Sequence, residues 1–457
     1  MIHLSTLLQH YKRDDIQAEM LLTAKDREIA VKFADRGFGK RPDTLAYGND
    51  ILELAKQGAT SFHASEERWK NIMRIDTSMR RQELDELRTG WDLILDIDCH
   101  FLEYSKMAAD LTIKALKYND VKSISCKFSG NKGFHIGVPF EAFPEKVAGQ
   151  DLQLLFPEAA RKIAMYIREM IKKPLGDKIL EYEKHDFARI LEKTGVDESK
   201  IKYFSSSKTG GQTEHLNVES FLDIDTILIS SRHLYRMVYS FNEKSGLISV
   251  PVDPAKVLEF SKEQAKHPVK VSAFRFLDAS RTVNGEANKL FVQAFDFSAR
   301  QEEQEEFRPK REFSIPSTAI PEKFFPLCIQ TGLKGLKDGR KRFMFILVNF
   351  LVNVGWDYEQ IEKLLLEWNK KNHEPLRENY LVGHVRYHKT RKEKILPPNC
   401  DNEMYYGFFP ACKADAGHAG IKNPVQWAKK RARMANFGPE GEEKPKRRRR
   451  KKDEDEM

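Results

Sequence analysis

Trp91-Asp92-Leu93-Ile94-Leu95-Asp96-Ile97-Asp98 is an apolar run that ends in two acids one residue apart. It reads as a buried strand, and residues two apart on a strand point to the same face, so Asp96 and Asp98 converge on one spot. Two hard oxygen ligands side by side suit a divalent cation such as Mg²⁺ or Mn²⁺. A helix-like stretch from Tyr104 to Tyr118 and a second strand pattern from Val121 to Phe128 follow. They lead into Ser129-Gly130-Asn131-Lys132-Gly133-Phe134-His135. That segment offers a hydroxyl, close backbone approach at two glycines, a cation and an imidazole, a set suited to a polyphosphate. Metal-binding acids beside a phosphate cradle point to nucleotidyl transfer.

The joint spacing resembles the catalytic small subunit of the archaeo-eukaryotic primases, whose first motif is Asp-x-Asp on a strand and whose second is Ser-Gly-x-(Arg/Lys)-Gly-x-His. Upstream, Arg27-Glu28-Ile29-Ala30, Lys40-Arg41-Pro42 and Ser61 to Trp69 fall where such subunits carry an Arg-Glu strand, a basic strand and a Ser/Glu/Trp segment. Downstream, Ser231 to Arg236 and Ser240-Phe241-Asn242-Glu243-Lys244-Ser245-Gly246-Leu247 are similar to the third region, with Asn242 in place of the usual His. The resemblance implies a third acid in Leu222-Asp223-Ile224-Asp225. Asp225 is favoured and Asp223 is the alternative. It further implies that Ser129, Lys132 and His135 grip the triphosphate, that Arg232, Arg236 and Lys244 meet phosphates or template, and that Arg41 joins the same pocket. Cys99 and His100 read as the start of the next helix, since a hard-metal site does not favour thiolate. His63 reads as a polar loop residue.

Three further cysteines, Cys328, Cys400 and Cys412, fall in the last third of the chain, and thiols gathered in one region more often bind metal than form bridges. With Phe325-Pro326-Leu327-Cys328, Asn399-Cys400, Pro410-Ala411-Cys412 and His418 before Lys422-Asn423-Pro424, this region resembles the C-terminal domain of the primase large subunit. That domain binds a 4Fe-4S cluster through four cysteines, and His418 stands near the place of the fourth. Three thiolates and an imidazole also make a zinc set, and histidine replaces cysteine on some iron clusters. Between the cysteines, Phe343, Ile346, Leu347, Phe350 and Leu351 recur at helical spacing. Gly355 fits a helix stop, and Asp357 with Gln360 fits a capping box for a helix carrying Ile361, Leu364, Leu365 and Trp368. Arg340, Lys341, Arg342, Lys370 and Lys371 are the cations placed to touch template or the initiating nucleotide.

Lys and Arg number 77 against 68 Asp and Glu, a net charge of +9 that permits a polyanionic partner. No apolar stretch is long enough for a membrane span and no signal-peptide pattern opens the chain, so a cytoplasmic, nucleoid-associated protein is expected. The chain reads as an α/β (α+β) catalytic domain over 1–300, a linker over 301–321, a mainly α-helical metal-binding domain over 322–437 and a block-charged tail over 438–457. The resemblance implies a single-chain DNA primase that makes primers de novo. Single-stranded DNA template, nucleoside triphosphates and an RNA or DNA primer would be its partners, alongside other replication proteins. It would act as a monomer without a separate large subunit. Two other readings stand beside it. A haloacid-dehalogenase-type phosphatase would use Asp96 as nucleophile and Asp98 as acid, but it leaves Ser129 to His135 without a role. A template-binding accessory protein with a degenerate site has Asn242 in its favour. Ribo- versus deoxyribonucleotide preference is not fixed by these motifs.

Overall fold

The computed structural model of the chain describes residues 2–76, 79–147, 149–206, 212–224, 229–307, 315–316, 318–390, 394–407 and 421–435. Two compact units divide it, Met1–Arg308 and Pro309–Met457.

In the first unit the acidic run forms β1 (Leu93–Cys99), joined by β2 (Ser125–Phe128), β3 (Phe134–Val138), β4 (Leu222–Ile224) and β5 (Pro251–Val252) in the order β4-β1-β3-β2-β5. Every neighbouring pair is antiparallel. Leu93, Leu95 and Ile97 are fully buried on one face, each worth about 1.5–3 kcal/mol of apolar burial. Helix α1 (Leu102–Tyr118) packs against β1 and β3. The opposite face opens along the strand, from buried Ile94 through half-buried Asp96 to exposed Asp98. Alternation alone therefore delivers the two carboxylates to solvent and the aliphatic residues to the core.

A second, four-stranded antiparallel sheet orders Leu234–Arg236, Ala59–Ser65, Ile29–Phe33 and Gly37–Phe38. A buried ion cluster stands at the start of β1. Asp92, fully buried, accepts from Arg27, from Arg68 at 2.6 Å and from the Phe140 N–H at 2.8 Å. Burial alone would raise the Asp92 carboxyl, but the two guanidinium groups hold it below the usual range. Helices α2 (Glu158–Tyr182) and α3 (Phe187–Thr194) follow β3, and α4 (Asn288–Phe307) ends the unit.

Four expectations change. The linker expected over 301–321 does not begin at Gln301, because residues 301–307 continue α4. Gln and Glu are good helix formers, the Ser298 hydroxyl donates to Glu302 one turn on, and Lys162 pairs with Glu302 at 3.4 Å. The second strand starts at Ser125 rather than Val121. Asn119 caps α1 by donating to the Ala115 carbonyl, and Asp120 at φ 67° turns the chain away. Cys99 ends β1 instead of opening α1, and His63 lies in a strand, not a loop.

The second unit is helical among its described residues. Helix α5 (Arg340–Asn353) buries Phe343, Ile346, Leu347, Phe350 and Leu351, and Gly355 follows it at φ 92°. Helix α6 (Tyr358–Lys370) starts at the Asp357–Gln360 capping box and buries Ile361, Leu365 and Trp368. Helix α7 (Pro424–Met434) is capped by Asn423, which accepts from the Val425 N–H. Among the described residues no helix is long and apolar enough to cross a membrane.

Candidate active site

The register of β1 against β3 sets Asp96 opposite His135, and that of β2 against β3 sets Lys127 opposite His135. Directly opposed residues of antiparallel strands share a face, so Lys127, His135 and Asp96 form one row across three strands. His135 Nε2 lies 3.4 Å from Asp96 Oδ1. Burial, with the charges of Lys127 and Arg236 beside it, pushes the His135 imidazole well below its ordinary pKa and favours the neutral ring. On the other side of β1, the backbone of Asp223 pairs with that of Asp98. Asp225 lies outside the described residues.

The Ser129–Gly133 loop joins β2 to β3 and is closed on itself. The Ser129 N–H donates to the Gly133 carbonyl at 2.9 Å, and the Gly133 N–H donates back to Ser129 Oγ at 3.3 Å. Gly133 presses on β1 so closely that a Cβ there would stand 2.0 Å from the Ile97 carbonyl oxygen. Gly130 has φ +95°, and a Cβ on it would meet Asn242 Cβ at 3.0 Å. The loop therefore has glycine at both points of closest approach. Asn242 organises the 242–247 turn that packs on it: its Oδ1 accepts from the Lys244 and Ser245 N–H groups, and the Ser245 hydroxyl donates to the Gly130 carbonyl. Asn242 thus supports the loop from behind.

A cavity of about 650 Å³ opens at Asp96 and Asp98; Ser129 and His135 are not part of its lining. Asp96, Asp98, His100 and Lys132 line one wall, and Thr194, Val196, Glu219 and Phe221 line the other. Lys132 Nζ is 2.6 Å from His100 Nδ1, which places the cation at the mouth beside the acids. Glu219 is paired with Arg168 at 3.3 Å and Lys172 at 2.7 Å, both on α2. Two carboxylates on one open face, with Asp96 43% exposed, are a hard-oxygen donor pair that fits a divalent cation. Among the described residues no group of three or more His, Cys, Asp or Glu is gathered as a metal site.

Of the other expected nucleotide contacts, Arg236 is near His135, and Arg41, Arg232 and Arg236 are each held in an ion pair. Arg41 and Arg232 both converge on buried Glu28, at 3.0 and 2.7 Å. Arg236 pairs with Glu243 at 3.1 Å and donates to the Phe241 carbonyl. Burial would raise Glu243, yet Arg236, the Ser61 hydroxyl and Lys32 bring its pKa down to about 2. None of Arg41, Arg232, Arg236 or Lys244 lines the cavity; Lys244 is exposed on the 242–247 turn. In the second unit Cys328 is buried in the helix Leu327–Gly332, and Cys400 is half-buried with its N–H on the Lys422 carbonyl. Cys412 and His418 lie outside the described residues.

Sequence reasoning passed over Lys127. It is fully buried, donates to Ser249 Oγ at 3.0 Å and faces the rings of Tyr235 and Phe276 at 5.7 and 5.3 Å. Burial lowers its pKa to about 7 against the opposing pull of Asp96. The available signal was a lysine inside a short strand whose neighbours Ser125, Cys126 and Phe128 are all buried.

No family model matches the chain. Over 179 residues it is 27% identical to the DNA primase large subunit of Methanopyrus kandleri, a stretch that covers 36% of this chain. The chain spans 41% of the length of that curated relative. Among solved structures it is similar to the polymerase domain from Mycobacterium tuberculosis ligase D in complex with DNA, at 12% identity and a TM-score of 0.33, over 64% of this chain and 88% of that one.

Proposed function

We propose that the protein is a template-directed nucleotidyltransferase of the primase type, with a small-subunit-like catalytic unit and a large-subunit-like helical unit on one chain. The observation that carries this reading is the β1–β3 register, which sets Asp96 beside His135, leaves Asp98 on the same face and brings the Gly133 loop onto Ile97. Acids and Lys132 thereby share one cavity. The similarity to a primase large subunit supports it.

Asp96, Asp98 and a third acid, Asp225 or Asp223, would hold divalent cations; Mg²⁺ or Mn²⁺ there would supply charge neutralisation for attack by a 3′-hydroxyl and departure of pyrophosphate. The remaining work belongs to the protein's own groups. Lys132 at the mouth attracts the triphosphate, and the Ser129–Gly133 loop lets its backbone approach the phosphates closely. Neutral His135 orients Asp96 or donates to a phosphate oxygen without adding a charge. Lys244, on the exposed turn, meets phosphates or template. For Arg41, Arg232 and Arg236 to do the same, they would have to leave Glu28 and Glu243. In the helical unit, Cys328, Cys400, Cys412 and His418 would close one iron-sulfur or zinc centre, and that unit would hold the 5′ end of the nascent primer. A second positioned binding surface helps most when two free nucleotides must be immobilised together.

The test is primer synthesis on single-stranded DNA with labelled ribo- and deoxyribonucleotides. Incorporation that requires both template and divalent cation is expected. Absence of template-dependent incorporation, or template-free release of phosphate from small phosphoesters, would overturn the reading.

A further inference from the structure

Lys127 has no carboxylate at ion-pair distance among the described residues. Its side-chain hydrogen bond goes to the neutral hydroxyl of Ser249, and the rings of Tyr235 and Phe276 lie beside it. A buried, unpaired cation is expensive and is retained where something offsets it. The same polar island holds two more groups with spare capacity: His135 Nδ1 and Tyr235 Oη are both buried without a hydrogen-bond partner among the described residues. Lys127 shares its row with His135 and Asp96.

Its hydrogen-bond partner Ser249 leads to the Ser129–Gly133 loop. Ser249 Oγ, which accepts a hydrogen bond from Lys127, donates one to the Phe128 carbonyl at 2.7 Å, one residue before Ser129. The Ser249 backbone N–H is bonded to the Ser240 carbonyl at 2.9 Å, and that segment leads into the Asn242 turn beneath Gly130. Lys127 therefore stands behind both ends of the loop's support, and in its protonated form, which a bound polyanion would favour, it brings positive charge to the pocket.

We propose that Lys127 is a positioning residue for the triphosphate of the incoming nucleotide: through Ser249 it fixes the Ser129–Gly133 loop, and from behind His135 it attracts the phosphates held there. The inference rests on the nucleotidyltransferase reading for its ligand, while its geometry is independent of the template.

The experiment uses the full chain and two readouts. Inorganic tripolyphosphate binding is measured without template, and KM and kcat are measured separately for incorporation. Lys127→Met should weaken tripolyphosphate binding by about tenfold or more and raise KM for the nucleotide by a similar factor, with kcat changed far less. Ser249→Ala should shift both in the same direction by a smaller factor, and it decides the matter if Lys127→Met does not fold. Tripolyphosphate affinity within about twofold of wild type in both folded variants, a loss confined to kcat, or no tripolyphosphate binding by the wild type would overturn the inference. The two readings fail separately. A wild type that binds tripolyphosphate through Lys127 yet incorporates nothing defeats the polymerase reading alone, whereas normal incorporation and normal binding by the variants defeat Lys127 alone.

Discussion

Gly133→Ala isolates the contact that brings the Ser129–Gly133 loop to the acids. The added Cβ would lie 2.0 Å from the Ile97 carbonyl oxygen, 3.1 Å from the carbonyl carbon and 3.3 Å from Asp98 Cα. An ordinary carbon–oxygen contact needs about 3.3 Å, so loop and strand must part by roughly 1.3 Å. All three clashing atoms are backbone, and no side chain can swing aside to absorb the shift. Overpacking of this kind costs about 1–3 kcal/mol of stability. The larger effect falls on chemistry, because a misplacement of about 1 Å between reacting groups lowers rate by about a hundredfold. Gly149→Ala is the control: unlike Gly133 it has a positive φ, +82°, but nothing lies within 4 Å of its Cβ. It should cost about 1–2 kcal/mol through the backbone alone and leave incorporation intact. Denaturant unfolding and template-dependent incorporation at saturating nucleotide, run on both variants, decide it. If Gly133→Ala keeps near wild-type turnover, or loses no more than Gly149→Ala at matched stability, loop-to-strand distance does not set the site.

Three other outcomes are expected. Asp96→Ala and Asp98→Ala should each lower incorporation by about a hundredfold or more while sparing single-strand DNA binding in a filter or anisotropy assay; Asp225→Ala and Asp223→Ala should differ sharply, and the essential one is the third acid. Glu243→Gln should destabilise the protein at neutral pH by on the order of 2 kcal/mol. Because the folded pKa of about 2 lies below the usual 4.5, the wild-type advantage is full above about pH 4.5 and fades as pH falls towards 2; denaturant titrations at pH 7 and pH 3 that give the same gap would refute this. If Cys400 is a metal ligand as proposed, Cys400→Ser should lower the bound metal and loosen the fold of the helical unit, since structural centres couple binding to folding. Elemental analysis with visible absorption then separates zinc from iron and sulfur, and a wild-type chain free of both metals would end the proposal.

What the sequence disclosed follows the physics of short range. Alternation in Leu93 to Asp98 and helical spacing in Phe343 to Leu351 are local periodicities, and both place their residues as expected. The Asp357–Gln360 box is equally local. Pairings between distant segments were not legible. Nothing near Arg41 or Arg232 in the chain announces that both would meet at Glu28. The row that includes Lys127 depends on the register of three strands, which a motif does not state. Gln301 to Glu306 misled for a related reason: a polar run reads as linker until a packed stem such as Phe291 and Phe295 extends a helix into it.

The place of β1 inside its sheet has a consequence for synthesis on the ribosome. One neighbour, β3, emerges soon after it, but the other, β4, is separated from it by α1, β2, β3, α2 and α3. With chain growth of about 5–20 residues per second, one edge of β1 waits on the order of ten seconds for its partner. An unpaired edge is a template for aggregation, and charged side chains on it are a known safeguard. Asp96 and Asp98 supply that safeguard throughout the wait. Apolar replacements there should therefore lower soluble yield as well as activity, and slower translation should make the loss worse.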